Sequence, residues 1–454
     1  MSRSRGRRQH LSIVNPNAAG IDVGSAEHWV AVPPDRDPKP VRRFGAFTGD
    51  LEAIAEWLKR SGVDTVAMEA TGVYWISLFQ ILETRGFKVM VVNARHLRRV
   101  SGRKTDFNDC QWIQELHTLG LLNASFRPEN DVCALRSLVR HRENLVHSAA
   151  QQVQLMQKSL IQMNLLLQKV VTDITGVTGR RIIDDILAGQ RDPKLLAQHR
   201  NPHIKASEED IARHLKGDYR EEHLFTLRQA VDAYDFFMRQ LDDCHQSALR
   251  ILGRFKTKLP PQALALDSPA PTRRKRSKNA PPKEFHDLLF QCAGSDLTKV
   301  PGIEVSTALT VVSEIGLDMS RFPNEKRFAS WIGLAPSPKV SGGKTIGHDR
   351  PNIRNRAAQA LRMAASTLRK SPTALGAQFR RFNARLGPGK TIKAMAHKLA
   401  KIVYRLLKYG TAYVDAGDQA YQEQFRARRI RALKRNAADL GLALVPMPAG
   451  EPVS

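Results

Sequence analysis

From Asp131 to Asp173 the chain contains neither glycine nor proline. Apolar residues recur through that run at Leu135, Leu138, Val139, Leu145, Val146, Ala149, Val153, Met156, Leu160, Met163, Leu167 and Val170. Steps of three and four residues mark one face of an α-helix, so the run predicts a single amphipathic helix of roughly 60 Å at about 1.5 Å per residue. A rod of that length must be matched by another. Glu208 to Phe255 repeats the pattern with Leu224, Leu227, Val231, Tyr234, Met238, Leu241, Ala248 and Leu252. The simplest arrangement is an antiparallel helical hairpin or coiled coil, within one chain or between two, with residues 175–206 as a looped tip.

The preceding stretch has a different rhythm. Ala19 to Val23, Trp29 to Val32, Val41 to Phe47, Asp64 to Glu69 and Phe87 to Asn93 are short apolar runs that read as strands. Helical patterns cover Asp50 to Arg60, Tyr74 to Arg85 and Asp106 to Leu119. Three close strands, then helix, strand, helix, strand and helix, predict a mixed sheet with helices packed on it, in the order of a ribonuclease H-like domain.

These patterns divide the chain into a basic arm expected to be disordered (residues 1–17), an α/β domain (18–125), a long helical region (131–258), a basic Pro-rich linker (259–283), a mainly helical C-terminal domain (284–413) and a basic tail (414–454). The linker carries Arg273-Arg274-Lys275-Arg276, and the tail carries Arg426, Arg428, Arg429, Arg431, Lys434 and Arg435. Lys and Arg total 71 against 44 Asp and Glu, a net charge of +27. Such an excess calls for a polyanionic partner, of which nucleic acid is the foremost. The basic start lacks the apolar segment of a signal peptide, and no run of about 18 apolar residues offers a membrane span. Cys110, Cys133, Cys244 and Cys292 form no CxxC pair or zinc spacing, which suits buried thiols in a reducing cytoplasm.

Four carboxylates stand out. Asp22 lies inside an apolar strand, and Glu69 ends a second one just before Thr71-Gly72. Buried acids need compensation, and neighbouring strand ends can bring these two together. Asp106 and Asp109 are three residues apart, on one helix face that Ile113 and Leu116 continue inward. Asp106 also suits an N-cap and Asp22 a turn cap. As a set, the four form a hard-oxygen site suited to one or two Mg2+ ions that stabilise the attacking and leaving oxygens of a phosphodiester. Gly20-Ile21-Asp22-Val23-Gly24 also resembles the first phosphate motif of actin-like sugar kinases, but the second Gly-rich loop of that fold is missing.

In the C-terminal block, Val300-Pro301-Gly302-Ile303 precedes a helix from Ser306 to Glu314, a turn resembling helix-hairpin-helix modules that hold a DNA phosphate on backbone N–H groups. Further on, Ser341 precedes Gly342-Gly343, with Lys344, His348, Arg350, Arg354 and Arg356 close behind. A glycine turn admits a phosphate backbone, and the cations would neutralise charge developing on it. A lone serine before glycines is usually a loop residue, and spacing assigns it no His/Asp partner.

Together these residues resemble the DEDD transposases of the IS-one-ten family of bacterial insertion sequences. The motifs are Gly20-Ile21-Asp22-Val23, Met68-Glu69-Ala70-Thr71-Gly72, Val91-Val92-Asn93, Lys104-Thr105-Asp106-Phe107-Asn108-Asp109, Val300-Pro301-Gly302-Ile303, Phe328 to Pro336, and Ser341-Gly342. The resemblance implies a RuvC-like domain whose acids, here Asp22, Glu69, Asp106 and Asp109, bind Mg2+. It also implies a C-terminal serine, here Ser341, that forms a covalent phosphoserine link to cleaved DNA, so that rejoining needs no high-energy cofactor. Its further implications are donor and target DNA, a structured noncoding bridge RNA as guide, and homodimers that pair into tetramers. Lys104, Gly302, Gly342, Gly343, Lys344, His348, Arg350 and Arg354 are then the candidate nucleic-acid contacts. Cys110 stands where a small residue such as alanine is common, the middle region looks longer than in compact relatives, and Ser337 is a fallback nucleophile. Two other readings stay open: a hydrolytic RuvC-like nuclease or junction resolvase, which leaves Ser341 without a role, and a non-catalytic nucleic-acid scaffold, which leaves the four acids without one.

Overall fold

The computed structural model describes residues 12–70, 72–93, 106–259, 278–349, 355–443 and 445. It falls into two compact units, Met1–Arg127 and Pro128–Ser454.

The first unit is mixed α/β. Its strands are β1 (Ala18–Val23), β2 (Glu27–Ala31), β3 (Val41–Gly45), β4 (Thr65–Glu69) and β5 (Lys88–Val92), with α1 (Thr48–Arg60), α2 (Trp75–Thr84) and α3 (Asp106–Thr118) between or after them. The sheet order is β3-β2-β1-β4-β5. The first three strands form an antiparallel meander, and β4 and β5 run parallel to β1. Strand alternation sorts the two faces. Ala19, Ile21, Val23, Val66 and Met68 pack under α1 and α2 with Ile54, Leu58, Leu78 and Leu82. Ala67 and Val92 turn the other way and pack with Ile113 and Leu116 of α3. The basic arm is ordered at its end: the backbone N–H groups of Val14 and Asn15 donate to the Thr118 carbonyl, and the Asn15 amide donates to that of His117. That capping of α3 shortens the expected disordered arm, whose residues 1–11 lie outside the described set.

The second unit is mostly helical: α4 (Asn130–Gln162), α5 (Leu167–Val170), α6 (Val177–Leu187), α7 (Pro193–Ala197), α8 (Glu208–His214), α9 (Glu221–Leu252), α10 (Lys283–Ala293), α11 (Val305–Ile315), α12 (Glu325–Trp331), the hairpin β6 (Ser337–Ser341) and β7 (Lys344–Asp349), α13 (Arg356–Thr367), α14 (Ala374–Leu386), α15 (Pro388–Tyr409) and α16 (Gly417–Asp439). The two long helices pair antiparallel within the chain, since Arg142 of α4 bonds His245 of α9 and Ser159 bonds Thr226.

Three sequence expectations are corrected here. The first long helix stops at Gln162, not Asp173, because Asn164 takes φ 55° and a Schellman pair (Leu165 N–H to Leu160 O, Asn164 N–H to Ile161 O) closes the end. The helix is therefore about 50 Å long. The second stretch breaks into α8 and α9 around Gly217, where a Cβ would lie 2.2 Å from the Met163 carbonyl. The tip is not a loop either: α6 and α7 build a core of their own with Ile182, Ile183, Ile186 and Leu196 on Leu160, Leu227 and Val231. The base of the hairpin joins the C-terminal core, where Leu135, Val139, Ala248 and Leu252 pack with Phe285, Val312 and Leu399. Glu314 locks this joint. It takes a two-pronged bond from Arg140 (2.8 and 2.9 Å), while Arg136 caps the α11 carbonyls of Ser313 and Glu314.

Candidate active site

A glycine sets where the helix bearing Asp106 and Asp109 lies on the sheet. Gly20 sits in mid β1, on the face opposite the Ile21 core, and α3 lies directly against it. A Cβ at residue 20 would come within 2.3 Å of both the Cys110 carbonyl and the Gln114 nitrogen, and 2.8 Å of the Gln114 Cα. The helix backbone thus rests on the strand backbone. Further contacts fix the direction of α3. The Gln114 amide donates to the Ala18 carbonyl, and the Thr65 hydroxyl meets His117 Nε2 at 2.9 Å. The C-terminal end of α3 therefore lies at the beginning of β1 and β4, and its N-terminal end at their carboxyl ends.

Asp22 is two residues beyond Gly20 and Glu69 two beyond Ala67, so both share the α3 face. Ile21 pairs with Met68 in the parallel ladder, and one further step brings Asp22 alongside Glu69 at the ends of neighbouring strands, which are about 4.8 Å apart. Asp109 precedes Cys110, the residue seated on Gly20, and Asp106 opens the helix. Asp22, Glu69 and Asp109 are each half-buried. Burial pushes the Cys110 thiol up to about 12, and the negative charges of Asp22 and Asp109 on either side add to that shift. Cys110 thus remains a neutral thiol. No three His, Cys, Asp or Glu side chains among the described residues stand close enough to hold one ion, and the Asp106 side chain lies outside that set.

Ser341 belongs to the second unit. It ends β6, faces Lys344 across a two-residue hairpin turn, and both are exposed. Gly342 and Gly343 have φ of 54° and 76°, the positive pair that such a turn demands, and a Cβ on either would meet nothing within 4 Å. Among the described residues the Ser341 hydroxyl has no hydrogen-bond partner. The turn expected from the glycines is present, but the strands flanking it were not foreseen.

Two models of known families match the chain. One, described as a transposase of the DEDD type, matches residues 19–165, from β1 to the end of α4. The other, described as the transposase IS116/IS110/IS902 family, matches residues 294–379. The chain is 25% identical over 367 residues to the insertion element IS116 uncharacterized 44.8 kDa protein of Streptomyces clavuligerus, covering 78% of this chain and 84% of that one. It is 31% identical over 122 residues to the insertion element IS110 uncharacterized 43.6 kDa protein of Streptomyces coelicolor, covering 26% and 29%. The chain belongs to the IS110-type transposase family. It is a DNA transposase of an insertion sequence, and among the described residues no helix is long and apolar enough to cross a membrane.

The other candidate contacts of this transposase fare unevenly. Lys104, Arg350 and Arg354 lie outside the described residues, as does the side chain of His348, whose backbone is in β7. Gly302 has φ 88°, and its Cβ would lie 2.6 Å from the Ala364 carbonyl, so packing of the turn against α13 already requires glycine there. Arg356 is engaged by Glu143 of α4 at 2.5 Å. Sequence reasoning missed Trp29 and Arg43. Register places Asp22 opposite Trp29 and Trp29 opposite Arg43, so a row runs from Glu69 through Asp22 and Trp29 to Arg43 on the α3 face. The Trp29 indole donates to Glu27 (3.1 Å), whose other oxygen pairs with Arg43 (3.2 Å). The alternation within β2 was the only signal for this row.

Proposed function

We propose that this transposase cuts and rejoins DNA through a RuvC-like carboxylate centre of Asp22, Glu69, Asp106 and Asp109 and a serine nucleophile, Ser341. The observation that carries the reading is the seating of α3 on Gly20, which sets the helix bearing Asp109 against the sheet face to which Asp22 and Glu69 belong. The strand order, an antiparallel meander extended by two parallel strands, suits a RuvC-like fold. The order of the acids along the chain agrees with the DEDD designation of the matching family. Their chemistry, carboxylates beside a thiol that stays neutral, fits a hard divalent cation such as Mg2+. When bound, such an ion supplies charge stabilisation for the oxygens of the phosphodiester.

The chain's own residues do the rest. The exposed Ser341 hydroxyl forms an O–P bond while the strand's P–O bond breaks, and its proton leaves with the departing sugar oxygen. Attack by a hydroxyl of the second DNA strand reverses these changes and restores the serine. One phosphodiester is exchanged for another, so no high-energy cofactor is consumed. Gly342 and Gly343 leave room for the backbone to approach, and Lys344 offsets the charge developing on it. Arg43, 63% exposed in the row beside Asp22, suits a flanking phosphate about two strand spacings away. The reading includes a structured noncoding guide RNA, which the net charge of +27 suits, and a homodimer or homotetramer, both implied by the family resemblance.

Single substitutions test it on a nicked substrate carrying an element end. Asp22→Ala, Glu69→Ala and Asp109→Ala should each lose Mg2+-dependent cleavage by at least about a hundredfold while DNA binding persists. Ser341→Ala should lose strand transfer and the denaturation-resistant protein–DNA adduct that wild type forms. Cleavage undiminished by Ser341→Ala would leave a hydrolytic nuclease, and cleavage undiminished by the acid substitutions would end the proposal.

A further inference from the structure

At the end of the second family match, α14, α15 and the N-terminal part of α16 meet residues 413–416 around a cavity of about 280 Å³. Two cations line it, Lys398 of α15 and Arg428 of α16. Lys398 donates to the Gln378 side-chain oxygen, and among the described residues neither cation has a carboxylate in salt-bridge range. The one acid in the wall, Asp415, accepts from the backbone N–H groups of Ala374 (3.1 Å) and Gly417 (3.4 Å). Lys401, nearby, is paired with Glu325 at 3.3 Å. Burial, then the charges of Arg428 and Lys401, hold the Lys398 ammonium below the usual lysine range. Burial, then the charge of Asp415, pushes the Tyr413 hydroxyl up to about 12, so it remains a donor. Two cations set against each other over an open cavity lack an anion.

The helix that closes the cavity points the same way. α16 is 23 residues long and has no buried residue. Among the described residues it is held near its start, by Arg380 on Asp418 and by Arg381 on Gln422 and the rings of Tyr421 and Phe425. From there on it carries Arg426, Arg429, Arg431, Lys434 and Arg435, all exposed. Packing gives such a helix little support in water, and a polyanion laid along it would.

We propose that this cavity and the adjoining flank of α16 form a second nucleic-acid site, with a backbone phosphodiester seated between Lys398 and Arg428, the Tyr413 hydroxyl as a further donor, and the strand continuing along the α16 arginines. The site shares no residue with the carboxylate centre or the Ser341 turn, and it would hold a strand without cutting it.

The test uses the full-length chain and a fluorescein-labelled 20-mer, as single-stranded DNA and as RNA of the same sequence, titrated at several salt concentrations. Lys398→Gln with Arg428→Gln should weaken binding about ten- to a hundredfold and flatten the log K against log salt slope by about 0.7–1.4. A charge-matched control, Arg239→Gln with Arg250→Gln on exposed positions of α9, should move both far less. Arg428→Glu alone, at an exposed position, should weaken binding in the same direction. A loss larger for RNA assigns the site to a guide, and a loss larger for DNA assigns it to an element strand. Cleavage at saturating DNA should persist in these variants, whereas Asp22→Ala should lose cleavage and keep the salt slope, so the two proposals fail separately. Affinity and slope in the double variant equal to those of the control would overturn the site.

Discussion

Replacing Gly20 by alanine asks how far the carboxylate centre depends on the seating of one helix. The added methyl would lie 2.3 Å from two backbone atoms of α3, about 1 Å short of ordinary contact, and neither atom can rotate away as a side chain would. Either α3 lifts from β1 or β1 bows. Overpacking of this kind costs about 1–3 kcal/mol. α3 retains Ile113, Leu116 and His117 in the sheet contact, so the unit should fold with a lowered Tm. The clash falls at Cys110, next to Asp109, so the displacement is delivered to the end of the helix that carries the proposed carboxylates. Misplacement of a reacting group by about 1 Å costs on the order of a hundredfold in rate. Gly20→Ala is therefore expected to bind element-end DNA as wild type does and to cleave it about a hundredfold more slowly at saturating Mg2+, with excess Mg2+ giving little rescue. The checks are single-turnover cleavage and thermal melting followed by circular dichroism. Wild-type cleavage, or a loss of cleavage that tracks complete unfolding, would refute the reasoning.

Other outcomes follow from the second unit. Gly342→Ala and Gly343→Ala meet no atoms, so their cost is confined to the positive φ, about 1–2 kcal/mol each in the hairpin; strand transfer should fall while the global Tm stays within a degree or two. Glu314→Gln removes the charge facing Arg136 and Arg140 at the joint between hairpin and C-terminal core; with Arg140 45% exposed, about 1–2 kcal/mol is expected in urea unfolding, and an unchanged midpoint would deny the joint its role. His286 and Asp296 stand 3.2 Å apart and half to fully buried. Pairing with Asp296 raises the pKa of His286. Burial opposes ionisation of Asp296, yet His286 and Thr298 together lower its pKa. The histidine's contribution is complete below its unfolded pKa near 6.5 and fades as pH rises through the higher folded value. That of the aspartate is complete above 3.8 and fades as pH falls through the lower folded value. Stability should thus peak between the two and decline on the alkaline side, and His286→Gln should flatten that decline in pH-dependent melts.

What the sequence disclosed and what it hid divide along a physical line. Helix periodicity is local, so α4 and α9 were legible from their apolar spacing, and the strand ends bearing Asp22 and Glu69 were legible because an acid in an apolar run is conspicuous. Helix ends are settled by tertiary partners. Asn164 ends α4 in a left-handed conformation where the chain must meet Gly217, more than fifty residues later, and no neighbour in sequence announces that meeting. The hairpin carrying Ser341 was half legible: two glycines in succession are a turn signal, but Pro338 and the polar flanks argue against strands, which form only as a short two-stranded ribbon. The row from Glu69 to Arg43 exists only in the register of four strands, and the cavity at Lys398 only in the crossing of three helices. Gly20 ties the two classes together. It looked like part of a phosphate motif, and its requirement is instead steric, set by a helix some ninety residues further on. A motif conspicuous in sequence can thus be kept for a contact that sequence does not show, and for that reason Gly20→Ala tests the proposed site more sharply than removal of one acid does: it leaves every carboxylate in place and moves only their frame.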